Sequence, residues 1–338
     1  MIKVNKISMS VLDKYDELGN SKLEFKISGS DINYVIVNTI RRTIFSDVPI
    51  YAFNIFKFEK NTSVFHNNYL KLRLQHMPVW AIKNTTDYID NNIKINDNLD
   101  KINENDNEND EDSVDLEVNH ELNSSSLNQL TMYVNHKNKT NEIMSVTTSH
   151  AKFYYDEKQI PCPYKNECPI LKLQPGQELS FSAVTVLGVE RDDTMFSAVT
   201  IICYKQINEH EFDFTLESKG QLTEKRILQV ALINIEKNMR NLIKLFLDAI
   251  NKGIDASEEE GLIIINNEDH TLGNLISDGM RKHSKVEFAG YNLPHPLAKK
   301  VHFHYLLKKD GNIKKIIEDV VDYYSELFNT ISKFVDKI

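Results

Sequence analysis

Apolar and polar residues alternate from Lys22 to Gly29 (KLEFKISG), the period of a half-buried strand. A turn at Gly29-Ser30-Asp31 follows, with Ser30 or Asp31 placed to cap a helix. From Ile32 to about Phe45, Ile32, Val35, Ile36, Ile40 and Ile44 recur on one helical face, and Pro49 lies just beyond its end. Tyr51 to Glu59 alternates again, with Phe53, Ile55 and Phe58 as candidate buried positions. Further strands are expected at 130–134, 143–155, 177–189, 195–204 and 212–217, with a loop from Ile160 to Pro169. The clearest helix runs from about Thr223 to Lys252 and ends before Gly253. Its face from Leu228 to Ala249 is too apolar to stand without a large partner.

The last 80 or so residues repeat this plan. Leu262 to Ile265 reads as a strand, and Glu268-Asp269-His270-Thr271 leads a helix to about Lys282. Val286 to Tyr291 is again strand-like. Val301, Phe303 and Tyr305 alternate with His302 and His304, and an amphipathic helix runs from about Ile313 to the end. Strand, capped helix, strand and long helix thus occur twice. Aligning Asn38 with Asn274 brings Val48 within two residues of Val286, which suggests a pseudo-symmetric pair. The fold class expected is α+β.

Charge divides the chain differently. The 338 residues carry a net charge of −9, yet Asp87 to Glu121 alone holds thirteen carboxylates and two lysines, a net −11. The remainder is nearly neutral, which disfavours a protein dedicated to a long phosphate backbone. Isolated apolar residues cannot offset chain entropy, so 92–126 reads as a flexible acidic insertion dispensable for folding. Lysines outnumber arginines 33 to 7, so each arginine is worth locating. No stretch reaches the roughly 20 apolar residues that span a bilayer. Three cysteines are too few for a disulfide framework, and a soluble chain in a reducing compartment with no membrane contact is expected.

Little of the remaining chemistry is catalytic. Cys162 and Cys168 fall short of four zinc ligands at usual spacing, His302 and His304 lack a carboxylate at metal spacing, and phosphate-loop and nucleophile-elbow motifs are missing. No cofactor or metal is expected. Arg41 and Arg42 stand out because a lone buried guanidinium is very costly. At least one should face carboxylates or backbone carbonyls of a partner.

Two segments are more specific. Asn38-Thr-Ile-Arg-Arg-Thr-Ile-Phe-Ser-Asp-Val-Pro49 resembles the helix and following S-x-x-P of the larger alpha-type subunit of multisubunit RNA polymerases. Glu268-Asp-His-Thr-Leu-Gly-Asn274, with Phe288-Ala-Gly-Tyr-Asn-Leu-Pro-His-Pro296, resembles the smaller one. Leu171 to Leu179 and Phe212 to Gly220 add similarity to the larger. The two types, normally separate chains, look fused here, as in large DNA viruses with cytoplasmic transcription. Two departures stand beside this. Only Cys162 and Cys168 occupy a region where relatives often carry four cysteines, and Gly188 to Ala198 lacks a pattern common there.

The resemblance implies an RNA polymerase alpha-type dimerisation module, made of 1–51 with 206–255 and of 258–338, and a mostly β domain inserted at 52–205. It implies a non-catalytic assembly platform whose first half faces the second-largest polymerase subunit and whose last half faces the largest. A small zinc-containing subunit is a further expected partner, and DNA and RNA are expected to be reached only indirectly. Residues expected at subunit interfaces are Asn38, Arg41, Arg42, Pro49, Asp269, His270, Thr271, Gly273, Asn274, Gly290, Tyr291 and His295. In the resemblance, Gly273 marks close backbone approach within the dimerisation bundle. Virion and host cytoplasm are the expected locations for a viral chain, the nucleus for a cellular one. The rivals are a stand-alone nucleic-acid-binding regulator and a metal-dependent enzyme.

Overall fold

A computed structural model describes residues 7–17, 20–80, 82, 129–156, 158–164, 166–251, 259–295 and 300–337. The acidic segment 92–126, Gly253 and Pro296 lie outside them. Two compact units divide the chain. One comprises Met1–Pro49, Thr86–Tyr88 and Val189–Ile338; the other comprises Ile50–Thr85 and Ile89–Gly188.

In the first unit, β1 (Ile7–Glu17), β2 (Asn20–Gly29), β10 (Val199–Asn208) and β11 (Glu211–Ser218) form an antiparallel sheet in the order β1-β2-β11-β10. A second sheet has β12 (Glu260–Asn266), β13 (Val286–Asn292) and β14 (Lys300–Leu307) in the order β12-β14-β13. Among the described residues, four α-helices complete the unit: α1 (Tyr34–Ser46), α3 (Glu224–Asn251), α4 (His270–Lys282) and α5 (Ile313–Val335). The order β2-β11-β10 matches β12-β14-β13 strand for strand, so the internal repeat is real at the level of topology. The structural counterpart of β13 is therefore β10, and the strand that directly follows α1 belongs to the other unit.

The helices bury the apolar stripes that the periodicity marks. α3 packs on α5, α1 on α3 and on α4, and α4 on α5. The long pair runs antiparallel: near the start of α3, Lys225 Nζ donates to the Asp336 carbonyl at 2.8 Å and Gln229 Nε2 to Asp336 Oδ1 at 2.8 Å. Each long helix also crosses to the sheet of the other half, α3 onto β12 and α5 onto β1. Phe246 of α3 meets Phe303 of β14 with ring centroids 5.0 Å apart. Burial of a side chain this size contributes about 1.5–3 kcal/mol, and both rings are almost fully enclosed.

The second unit holds a five-stranded sheet, ordered β3-β9-β4-β6-β7. Its strands are β3 (Ile50–Asn61), β4 (Leu130–Lys137), β6 (Ala151–Tyr155), β7 (Lys158–Ile160) and β9 (Glu178–Gly188). A short pair, β5 (Met144–Thr147) and β8 (Pro169–Leu173), and a helix, α2 (Asn67–Gln75), accompany it. Phe53, Met132, Phe153 and Phe181 are among its fully buried core residues.

Several expectations shift. The inserted unit closes at Gly188 and not at 205, because β10 hydrogen-bonds to β11 in the first unit. The strand expected at 195–204 starts at Val199, since Asp193 Oδ1 accepts from Met195 N and caps a short turn over Thr194–Phe196. The cap of α1 is Asn33, because Ser30 and Asp31 are used in the turn that Ile32 N closes on the Gly29 carbonyl at 2.9 Å. A register shift between Phe53 and Ile55 turns Ile55 out of the core and leaves Phe56 and Phe58 against it. The sequence pattern does not mark β1, α2, β7 or β8, and a short turn over Thr148–His150 breaks the strand expected at 143–155 into β5 and β6.

Candidate functional site

The offset that aligns Asn38 with Asn274 also aligns Asn33 with Asp269, Arg42 with Asp278 and Asp47 with His283. Asn33 and Asp269 are the N-caps of α1 and α4; Asp47 and His283 are their C-caps. Asn33 Oδ1 accepts from the Val35 and Ile36 amides at 3.0 and 3.1 Å. Asp269 Oδ1 accepts from the Thr271 amide at 2.7 Å. Each cap satisfies donors that a helix start leaves unpaired.

Each cap then reaches the same position of the opposite helix. Asn33 Nδ2 donates to Asp278 Oδ2 at 3.2 Å. Arg42 Nη2 donates to Asp269 Oδ2 at 3.0 Å, and Arg42 Nε donates to Thr271 Oγ1 at 2.7 Å. Reciprocal contacts of this kind define an isologous two-fold interface, here closed inside one chain.

The surroundings of the two contacts differ. Asp278 is mostly buried and also accepts from Tyr324 Oη of α5 at 2.9 Å and pairs with Lys282 at 2.7 Å. Burial pushes its carboxyl up, but the donors from Lys282, Tyr324 and Asn33 together hold it below the usual aspartate range. At the other end of α1, Arg191 Nη1 pairs with Asp47 Oδ1 at 3.4 Å, and Asn234 of α3 donates to the Asp47 carbonyl at 2.6 Å. Burial raises the Asp47 carboxyl against the opposing charge of Arg191. Glu268, just before the α4 cap, is raised to about 8, by burial first and then by the charge of Asp269. Arg191 opposes that rise and Asp47 adds to it. Carboxylates and guanidiniums therefore interleave along the seam between the halves, an arrangement suited to fixing their register.

Arg41 and Arg42 have separate fates. Arg42 is committed across the seam. Arg41 Nε donates to Asn38 Oδ1 of its own helix at 3.1 Å and has no ion pair among the described residues. Both Arg41 and Asn38 are half-exposed, and Tyr34 and Phe45 of the same helix are exposed beside them. On α4, Asp269 and His270 are exposed and Thr271 and Asn274 half-exposed. His270 Nδ1 lies 3.3 Å from Tyr291 Oη of β13, with the two rings edge to face.

Three expected residues sit elsewhere. Pro49 is buried after α1, Gly290 faces away from Tyr291 on β13 opposite His304, and His295 is exposed in the turn after β13. Gly273 serves a different purpose from the one expected. A Cβ there would lie 2.7 Å from Tyr291 Cδ2, so the glycine admits a ring of its own half. The glycine of the helix bundle is Gly279, whose Cβ would lie 2.5 Å from Val320 Cγ1 and 2.7 Å from Tyr324 Cε2. Sequence reasoning also missed Asn33, Asp278 and Tyr324, and Asp47 with Arg191. Cys162 and Cys168 are free thiols of the second unit, and among the described residues no group of three or more His, Cys, Asp or Glu could hold a metal ion. No helix among the described residues is long and apolar enough to cross a membrane.

Residues 260–333 match the RNA polymerase Rpb3/Rpb11 dimerisation domain. The matched span holds β12, α4, β13, β14 and nearly all of α5. A protein of Acanthamoeba polyphaga mimivirus, named as a DNA directed RNA polymerase subunit, is 26% identical over 94% of this chain and 91% of its own length. The chain is similar to alpha-like subunits of DNA-directed RNA polymerases. Subunit RPAC1 of RNA polymerases I and III from Mus musculus is 27% identical over 195 residues, 56% of this chain and 52% of its own. Subunit RPAC2 of RNA polymerases I and III from Caenorhabditis elegans is 36% identical over 69 residues, 20% of this chain and 48% of its own. The chain thus spans about half the length of these two cellular relatives. The RPAC1 match is too long to lie within the dimerisation domain alone, so alpha-like similarity extends to the preceding sequence.

Proposed function

We propose that this alpha-like subunit is a non-catalytic assembly platform, an intramolecular dimer on which the two largest polymerase subunits dock for transcription. The observation that carries the reading is the reciprocal pair Asn33–Asp278 and Arg42–Asp269. Two equivalent halves meet across it within one chain. Fusion replaces bimolecular association by an effective concentration of about millimolar, so the platform is complete before any large subunit arrives.

The first half is assigned to the second-largest subunit through α1, where Arg41 keeps its charge unpaired between exposed Tyr34 and Phe45. The second half is assigned to the largest subunit through the outer face of the β12-β14-β13 sheet. Leu262, Ile264 and Phe288 are exposed there beside His302 and His304. An apolar face with a polar rim is the usual anatomy of a docking surface. A small zinc-containing subunit is a further partner in this reading. In this reading the working complex operates in the virion and the host cytoplasm, which the likeness to a mimivirus protein supports.

Co-expression with the two large subunits tests the assignment. Arg41→Glu should leave the isolated chain folded and lower recovery of the second-largest subunit, whereas Phe288→Asp should lower recovery of the largest. Full recovery with Arg41→Glu at physiological salt removes α1 from the docking surface.

A further inference from the structure

The outer face of the five-stranded sheet in the second unit has no part in the assembly seam, and its side chains fall into register. Lys57 of β3 lies opposite Ser182 of β9, Ser182 opposite Tyr133 of β4, and Tyr133 opposite Lys152 of β6. This transverse row runs lysine, serine, tyrosine, lysine. The next row brings Thr131 and Tyr154 side by side. Neighbouring strands lie about 4.8 Å apart, so Lys57 and Lys152 flank Tyr133 on both sides within about two strand spacings. Tyr133 is 48% exposed, and its ring meets Tyr154 edge to face at 5.4 Å. The opposite face of these strands, with Met132, Phe153 and Phe181, is core.

The face is concave over β4 and β6. A cavity of about 710 Å³ is lined by Thr131, Tyr133, Asn135, His150, Lys152 and Tyr154. None of these is a carboxylate. Glu59, beyond the row, accepts from Ser180 Oγ at 2.7 Å. Lys57 and Lys152 have no ion pair among the described residues.

We propose that this sheet face binds single-stranded RNA. Tyr133, exposed, and Tyr154, half-exposed on the adjacent strand, offer π-faces for unpaired bases, and flanking lysines meet the phosphates. The hydroxyl of Thr131 and the amide of Asn135 line the cavity where ribose 2′-hydroxyls would seek partners, which favours RNA over DNA. An acidic peptide would satisfy the lysines but leave the aromatic rings unused. The proposal stands apart from the platform reading and adds a direct RNA contact to the indirect one expected of a platform. With only two cations in the row, binding is modest: the slope of log K against log salt should be about −1.4 for two contacts to a single strand.

Fluorescence anisotropy on the full chain tests it, with a labelled mixed-sequence RNA of about twelve nucleotides. Saturable binding is expected, weakened about fivefold or more by Tyr133→Ala and by Lys152→Glu, and kept by Lys152→Arg. DNA of the same sequence should bind more weakly, and polyglutamate should not compete at equal charge. Circular dichroism of the variants should be unchanged, since both side chains are exposed. Absence of saturable binding at about 0.1 M salt, insensitivity to Tyr133→Ala, equal binding of DNA, or equal competition by polyglutamate would each overturn the proposal.

Discussion

α1 and α4 each span thirteen residues, each opens on a side-chain cap, and each hands that cap to the same turn of the other. Position by position, however, the chemistry is not copied. Where the first half has Arg42 the second has Asp278, and where the first has the buried Ile32 the second has Glu268. A homodimer must place identical groups on both sides of its axis. A fused pair is free of that constraint, so one contact can be an exposed ion pair and its twin a half-buried hydrogen bond inside a network. Fusion allows the two halves to specialise while the two-fold geometry persists. The tests that follow probe the two sides unequally, in descending order of expected effect.

The largest effect should come from the glycine facing the long helix. Val320 and Tyr324 are fully buried, so neither can yield to a Cβ at position 279. Gly279→Ala should be net destabilising, because overpacking costs about 1–3 kcal/mol against a helix-propensity gain of roughly 1 kcal/mol. Gly279→Leu should abolish recovery of folded protein. Gly273→Ala is the control: Tyr291 is half-exposed and can move, so thermal melting should show little change. A Gly273→Ala loss as large as that of Gly279→Ala would show that the strand contact is as rigid as the bundle.

Asp278→Ala comes next. It removes the acceptor for Tyr324 Oη, Asn33 Nδ2 and Lys282 together, and a buried hydroxyl left without a partner costs about 1–3 kcal/mol. The carboxyl is held below its ordinary value when folded, so its contribution is complete above pH of about 4 and is lost as pH falls through the folded value. Denaturant titrations should show the penalty of Asp278→Ala shrinking in acid.

Glu268 behaves in the opposite sense. Its folded value of about 8 lies above the ordinary 4.5, so the folded chain holds more protons than the unfolded one between these limits. Stability attributable to this group therefore falls as pH rises from about 4.5 to 8. Glu268→Gln should flatten that decline and give a variant more stable than the parent at pH 8, with little difference at pH 5. A parallel decline in both proteins would assign the effect to Asp47, which is raised in the same direction.

The two polymerase-like segments were legible through their resemblance to a known family, whereas the repeat and the five principal helical or strand periods of each half were legible from residue spacing. Near-neighbour periodicity carries that information. The seam was not legible, because its partners lie more than two hundred residues apart and only topology brings them together. Aligning Asn38 with Asn274 already placed Arg42 on Asp278, and opposite charges at equivalent positions were the available signal. The Asn54 bulge and the end of the inserted unit at Gly188 were hidden for a related reason. Alternation before and after each reads normally, and only strand pairing reveals the shift.

The smallest effect is expected at the contact that looks most ionic. Arg42 and Asp269 side chains are 41% and 56% exposed, and exposed ion pairs contribute about 0.2–1 kcal/mol. Arg42→Ala should therefore cost little stability even though it cuts the bond to Thr271 as well. Asp269→Ala should cost more, since it also removes the N-cap of α4, worth about 1 kcal/mol. Their double-mutant cycle isolates the pair from the cap, and a coupling energy below about 1 kcal/mol is expected. The coupling should fall further in high salt, where exposed charges are screened. By contrast, the Asn33→Ala and Asp278→Ala cycle should keep its coupling in salt, because Asn33 is neutral. If both cycles proved equally sensitive to salt, the two sides of the seam would be electrostatically equivalent and the specialisation inferred from Arg42 and Asp278 would not hold.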